Sequence, residues 1–444
     1  MNKLMHAALP AALCLALAGG KPAEAAVTIT DDPVLYWNQL MLDTLPGSAA
    51  IRTYAMMNIA MYDSLNATLG YRNSSYLSGV VNPGGTGGVA AVQAAHDILV
   101  NANPAAIAQY DAALAGSLAQ FADGDGKANG IATGQAYAAA MITSRSSDGA
   151  FGSIPYTPSG LPGGYAPTPP AFGAPIFEQW GNVTPFVLDS PDQFRAAPPP
   201  ALTSQAYADA FDEVKAIGSA TSTTRTADQT AAAQFWGTAN GSTYMRLGLE
   251  ISADEGLSTF DNARLFALLG TGIADTLISL WNTKYYYDFW RPVTAIRNAD
   301  SDGNPLTDAD PDWLSLINAP AHPSYVSAHS ALGAMTMGLL LETIGDETVC
   351  ATIGPNTRCW SGLEAISADG SSSRLWGGIH FDFDRQAGLT MGTQIAAWQL
   401  SQGTFNAVPE PATWQLMIVG VGLVGAALRR PRRKIPVRPA CATG

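Results

Sequence analysis

An all-α fold is predicted by three features of the sequence. Apolar residues recur at helical spacing along most of the chain, alternating strand-like patterns are almost absent, and no fixed-period repeat is evident. With 444 residues and 47% hydrophobic content, the chain can bury a large core. Helical patterning begins near Asp32 and recurs at 49–67, 87–100, 104–121 and 129–145. Residues 152–200 are rich in Pro and Gly and hold no sustained period. They keep Phe172, Phe177, Trp180 and Phe186, so an ordered excursion is expected, not a disordered linker. Helical patterns resume at 204–217, 227–236, 258–287, 330–343 and 384–402.

Both ends read as targeting segments. Lys3, an apolar stretch over 7–18 and the small-residue site Ala23-Glu24-Ala25 form a secretory signal over residues 1–25, cleaved after Ala25. Near the other end, Pro409-Glu410-Pro411 precedes an apolar span at 412–428 and a basic run from Arg429 to Lys434. That span is at the low edge of what crosses a bilayer, and the basic run would hold its end in the cytoplasm. The mature domain is then 26–405, with approximate halves 26–200 and 201–405, followed by a sorting segment at 406–444.

Setting the two ends aside leaves 15 basic against 34 acidic side chains, a net charge of −19. Such a body repels nucleic acid and anionic lipid, so neither is expected as a partner. Of four cysteines, Cys14 lies in the leader and Cys441 in the tail. Cys350 and Cys359 flank a Gly354-Pro355-Asn356 turn, and in an exported protein a disulfide between them is favoured over two free thiols. There is no CxxC and no zinc-like spacing.

Against the acidic background, three short blocks gather cations and imidazoles: KYYYDFWRP at 284–292, PSYVSAHS at 323–330 and SRLWGGIHFDFD at 373–384. A tetrahedral oxyanion wants charge-assisted donors, preferably the planar fork of Arg, and helix N-terminal amides add more. Lys284 and Arg291 are two helical turns apart, which predicts that both project from one helix face, with Pro292 closing that helix. Ser327 reads as the N-cap of a buried helix, aiming the amides near Ala328 and His329 at an anion. Gly377 and Gly378 permit a tight turn between Arg374 and His380. Asp384, at i+4 from His380, is placed to orient its imidazole, whereas Asp382 points to another face.

This arrangement resembles the vanadium-dependent haloperoxidases and the related acid phosphatases of the type 2 phosphatidic acid phosphatase superfamily, whose pattern is K-x6-RP, PSGH and SR-x5-H. All three blocks occur in order with matching internal spacing, and residues 51–67 and 213–236 also resemble the bacterial haloperoxidase-like branch. The glycine of SGH is Ala328 here, which keeps the amide and adds a methyl group near the anion. The resemblance implies two packed helical bundles with the anion site in the C-terminal one. The C-terminal segment resembles the PEP-CTERM sorting signal of Gram-negative bacteria. This implies export across the inner membrane, transient membrane anchoring, and a periplasmic, cell-surface or extracellular location after sorting.

The resemblance also assigns roles. It makes His380 the direct ligand of vanadium or, in a phosphatase, the nucleophile on phosphorus, and His329 the acid–base group. Lys284, Arg291 and Arg374, with Ser327 and the Ala328 amide, would bind vanadate, and phosphate could occupy the same site. His322 falls near the halide side, where a histidine resembles the bromide type, and Trp281 is a candidate for the pocket wall. For Trp281 packing is the simpler reading, for His322 it is an equal alternative, and His96 and Asp275 are read as structural. For a lone histidine a satisfied core position is the usual explanation; three blocks in order outweigh it for His380 and His329.

The leading expectation is a haloperoxidase acting on hydrogen peroxide, halide and a small organic acceptor. An acid phosphatase working through a phosphorylated His380 is the alternative. A third reading, an exported non-enzymatic protein associated with exopolysaccharide, is disfavoured by the intact Lys, Arg, Ser and His set. Self-association into a homo-oligomer is left open.

Overall fold

The computed structural model describes residues 28–406 except 30, 46, 48, 240, 354 and 355. The expected signal peptide at 1–25 and apolar span at 412–428 lie outside the described residues. Thirteen α-helices, three single-turn 3-10 helices and one short hairpin account for the regular structure of the described residues.

The first group comprises α1 (Pro33–Thr44), α2 (Ala49–Thr68), α3 (Gly87–Ala102), α4 (Ile107–Leu118) and α5 (Asp125–Ser144), with α2, α3 and α5 packed on one another. The second comprises α6 (Gln205–Ile217), α7 (Ala227–Gly237), α8 (Gly241–Asp254), α9 (Thr259–Tyr287), α10 (Pro292–Arg297), α11 (Ala328–Thr343), α12 (Leu363–Trp376) and α13 (Asp382–Ser401). Helix α9 is the axis of the molecule: it packs on α2 of the first group and on α11 and α13 of the second. It is long and apolar enough to cross a membrane, yet 94% of its most apolar window is buried in protein. A helix that is apolar all round and covered by other helices is a core helix.

The Pro/Gly-rich stretch is ordered, as expected. The backbone N–H groups of Phe186, Val187 and Leu188 all donate to the buried Asp275 carboxylate on α9, which Gln399 Nε2 of α13 also reaches at 3.2 Å. The structural reading of Asp275 is thereby given a concrete content: one carboxylate ties the excursion to two helices.

Two sequence expectations need correction. The helix through Lys284 does not run on to Pro292. It ends at Tyr287 with Asp288 in the left-handed region (φ +50°), so Arg291 leaves the helix and Pro292 opens α10 instead. His380 is not helical either, since α13 begins at Asp382. The near-absence of strand is borne out: the only strands among the described residues are β1 (Val349–Ile353) and β2 (Asn356–Trp360), an antiparallel pair with Cys350 opposite Cys359 and joined to it as a disulfide.

Candidate functional site

Four chain segments bring the three blocks together around the N-terminus of α11. Lys284 arrives on the last turn of α9. The left-handed turn at Asp288 then sends Phe289–Arg291 back in extended form, and the Ser324 amide donates to Phe289 O at 2.8 Å, joining the first block to the second. Arg374 occupies the last turn of α12, and the turn after it needs Gly378 at φ +75°, where a Cβ would lie 2.3 Å from Gly218 O. Helix α13 then crosses α11 closely: a Cβ on Gly388 or Gly392 would lie 2.6 Å from Ser327 O or 2.1 Å from Ala331 O. This close crossing sets His380 and Asp384 against the start of α11, where the Ser327 amide donates to Asp384 O at 2.9 Å.

Hydrogen bonds fix the charged groups. Lys284 Nζ donates to Pro323 O and Ser324 O, both at 2.8 Å, leaving one N–H. Arg291 is fully buried; its Nε donates to His322 O at 2.9 Å and its Nη1 to Ile379 O at 2.9 Å. The same Nη1 lies 3.1 Å from His380 Nε2, and Nη2 lies 2.8 Å from His322 Nδ1. Because a guanidinium only donates, both imidazole nitrogens facing it are acceptors. His380 Nδ1 therefore carries the proton and donates to Asp384 Oδ2 at 2.8 Å, leaving the lone pair on Nε2. Arg374 Nη1 donates to Trp236 O at 2.8 Å, while its buried Nε has no partner. Ser327 does cap α11, accepting from the Ser330 amide at 3.4 Å.

The cluster carries one sign. Lys284, Arg291 and Arg374 are all buried, and Lys284 and Arg291 act on one buried carboxylate, Asp384. Burial, with Arg291 next, drives Lys284 well below the ordinary lysine range, and burial lowers Arg291 and Arg374 to about 10. His322, His329 and His380 are all held well below 6.5, first by burial and then by the cations. Burial raises Asp384 to about 6, opposed by the Ser324 hydroxyl, Lys284 and Arg291. His380 and Asp384 are close enough for an ion pair. Burial, and then the surrounding cations, instead keep the imidazole neutral, so the contact is a neutral N–H on a carboxylate. An anion set among these groups would offset their mutual repulsion.

The residues divide into two layers. His322, Ala328, His329, Arg374, His380 and Trp281 line a cavity of about 250 Å³, while Lys284, Arg291, Ser327 and Asp384 stand outside that lining. His329 is half-buried; its Nε2 is buried without a hydrogen-bond partner, and the rings of Trp236 and Tyr244 stand edge-on to it. Trp281 stands edge-on to His322, with centroids 4.7 Å apart. The disulfide of the hairpin contributes nothing to this lining. His96 is held on the surface of the first helix group between Asp97 and Asp111.

Ser324 was missed by sequence reasoning. Its hydroxyl donates to Asp384 Oδ2 at 2.5 Å and lies 3.4 Å from His380 Nδ1. Its presence inside the second block was the available signal, but capping logic pointed to Ser327. Phe177 and Trp180 also reach the cavity, from the stretch whose aromatic content had implied order.

Residues 264–407 match the model of the VCPO second helical-bundle domain, and residues 407–433 match the PEP-CTERM protein-sorting motif. The vanadium chloroperoxidase of Curvularia inaequalis is 32% identical over an alignment that covers 31% of this chain and 27% of that protein's length. Among solved structures, a bacterial vanadium-dependent iodoperoxidase superposes with a TM-score of 0.72 at 20% identity, covering 87% of this chain and 100% of the other. A holo-type bacterial vanadium-dependent chloroperoxidase superposes at 0.61 with 16% identity, covering 81% and 93%. These structures share the fold, and all three blocks fall inside the matched region. The chain is thus similar to vanadium chloroperoxidase, spanning about a quarter of that relative's length, with residues 264–407 matching the VCPO second helical-bundle domain and residues 407–433 the PEP-CTERM motif.

Proposed function

We propose that this protein is an exported vanadate-dependent haloperoxidase that oxidises halide, bromide in preference, with hydrogen peroxide. The observation that carries the reading is the buried, one-signed cluster of Lys284, Arg291 and Arg374 beside the His380 Nε2 lone pair. The fit to a tetrahedral oxyanion is supported by donors left over: Arg374 Nε, the third N–H of Lys284 and the first amides of α11. Lys284, Arg291, Ser327, Arg374 and the Ala328 amide would hold vanadate, with His380 Nε2 as its ligand. Bound there, vanadate supplies a Lewis-acidic centre that activates peroxide toward halide.

The chain's own groups prepare that site. Asp384 fixes the tautomer of His380, and burial with the nearby cations keeps the ring neutral, so Nε2 keeps its lone pair at neutral pH, shared here with Arg291 Nη1 at 3.1 Å. His329, also neutral, belongs to the cavity lining and has a buried Nε2 without a hydrogen-bond partner, which suits it to accept and return a proton. The histidine at 322 is the ground for favouring bromide. The PEP-CTERM motif supports export from a Gram-negative cell, with transient anchoring by the C-terminal segment.

The same His380 lone pair, oriented by Asp384, also suits attack on phosphorus, which keeps an acid phosphatase as the second reading. Purified protein assayed with and without vanadate, for bromide-dependent halogenation and for phosphate ester hydrolysis, decides between them. Vanadate-dependent halogenation suppressed by phosphate is expected. Full halogenation in a vanadium-free, phosphate-saturated preparation would sink the first reading, and ester hydrolysis alone would select the second.

A further inference from the structure

We propose that the cavity beside the cation cluster is also a binding site for a flat, uncharged aromatic group, held next to the oxyanion. This deepens the oxyanion reading and rests on it for the neighbouring ion. The cavity measures about 250 Å³. A water molecule's share of liquid is about 30 Å³, so an ion of a few oxygens leaves much of that space free. Its lining combines the polar groups His322, His329, Arg374 and His380 with the apolar Ile51, Leu277, Leu332, Phe177, Trp180 and Trp281. A concave apolar wall with a few convergent polar groups is how small organic ligands are held.

The aromatic part of the wall is built in a way that core packing alone does not require. Phe177 sits at φ +66°, a left-handed backbone that bulky residues rarely adopt, and its ring centroid is 4.8 Å from that of Trp281. The segment is held in place by Tyr285 Oη donating to Ile176 O at 2.5 Å and by the Ile176 amide donating to Ala321 O at 3.1 Å. Exposed Asn318 and half-buried Pro320 also line the cavity, giving it an opening to solvent. Aromatic faces favour flat rings in offset or edge-on packing. No acidic side chain lines the cavity among the described residues, so nothing there recruits a cation. The ring could belong to a free phenol-like acceptor or to the aryl group of a phosphate ester; the chemistry recognised is the same.

The test uses 4-methylphenol, phenyl phosphate and inorganic phosphate as probes, with calorimetry and ligand-observed NMR on the wild type, Leu277→Phe (which fills the cavity) and Phe177→Ala (which removes part of the wall). Saturable binding of 4-methylphenol is expected, persisting with phosphate present and about tenfold weaker in both variants. Phosphate affinity should stay within about threefold, which also shows that the variants fold. Phenyl phosphate binding more tightly than phosphate, with no binding of 4-methylphenol, would assign the ring to an ester and still support the aromatic site. Failure of both aromatic probes to bind saturably, or equal binding by wild type and both variants, would overturn the proposal. Absence of phosphate binding with 4-methylphenol still bound would instead overturn the oxyanion reading.

Discussion

Ser324 and His380 share one oxygen of Asp384: the hydroxyl reaches Oδ2 at 2.5 Å and the imidazole Nδ1 reaches it at 2.8 Å. With the Phe381 amide at 3.2 Å, three donors on one oxygen hold the carboxylate in a single rotamer, and the hydroxyl lowers a carboxyl pKa that burial raises. Ser324→Ala is expected to move the Asp384 titration upward from about 6 and to loosen the His380 ring. Its apparent phosphate or vanadate affinity should fall by roughly tenfold with little loss of stability, and Ser324→Thr should restore part of it. Affinity measured across pH checks this, because a purely structural serine would not displace the pH profile.

Cys350 and Cys359 face each other across β1 and β2, remote in function from the cavity. Loss of the bridge in a Cys350→Ser/Cys359→Ser protein is expected to cost about 2–3 kcal/mol in the chain-entropy account, with oxyanion binding unchanged. Non-reducing mass spectrometry and urea unfolding of both proteins are the measurements. Two alkylatable thiols in the exported wild type would refute the pairing.

The parts of this molecule legible in the sequence were those encoded over short distances. The long helices at 49–67, 258–287 and 330–343 announce themselves by periodicity, and each cation block by its internal spacing. Ser324 was not legible, because its partner lies 60 residues away and only the α11–α13 crossing brings them together. Arg291 was placed on the wrong support because nothing local marks Asp288 as a left-handed cap. Helix α12 escaped notice because Ser371, Ser372 and Ser373 follow Gly370, a run of weak helix formers that tertiary packing overrides. The hairpin strands are five residues each, too short to establish an alternating pattern.

His322 should leave a signature in stability. Burial, then Arg291 and Lys284, hold its folded pKa well below 6.5, so below that pH the unfolded chain binds the extra proton first. Its contribution to stability is therefore present in full above 6.5 and falls with pH down to the depressed folded value. Removing the ring in His322→Gln removes this dependence. The wild-type-minus-variant difference in unfolding free energy should shrink by up to about 1.4 kcal/mol per pH unit below 6.5 and be flat above it. Urea unfolding of both proteins across this range provides the test; a difference independent of pH would mean that the ring protonates in place. Because His322 Nδ1 accepts from Arg291, the variant should also change the ratio of bromide to chloride rates.

His380 and His329 should fail in different ways when removed. His380 carries the lone pair beside Arg291 and is the proposed tie to vanadium, so His380→Ala is expected to abolish vanadate retention. His329 has a buried Nε2 without a hydrogen-bond partner, and burial keeps its ring neutral, so it can accept a proton. Its loss removes an acid–base step, expected to slow turnover by about 10²- to 10⁴-fold while leaving vanadate bound. Vanadium stoichiometry measured beside rate for each variant separates the two. A His380→Ala protein that still holds vanadium tightly, or a His329→Ala protein that turns over at the wild-type rate, would reverse the corresponding assignment. Phosphate binding to the metal-free variants gives a readout free of turnover: His329→Ala should retain it, since the Arg and Lys donors are untouched.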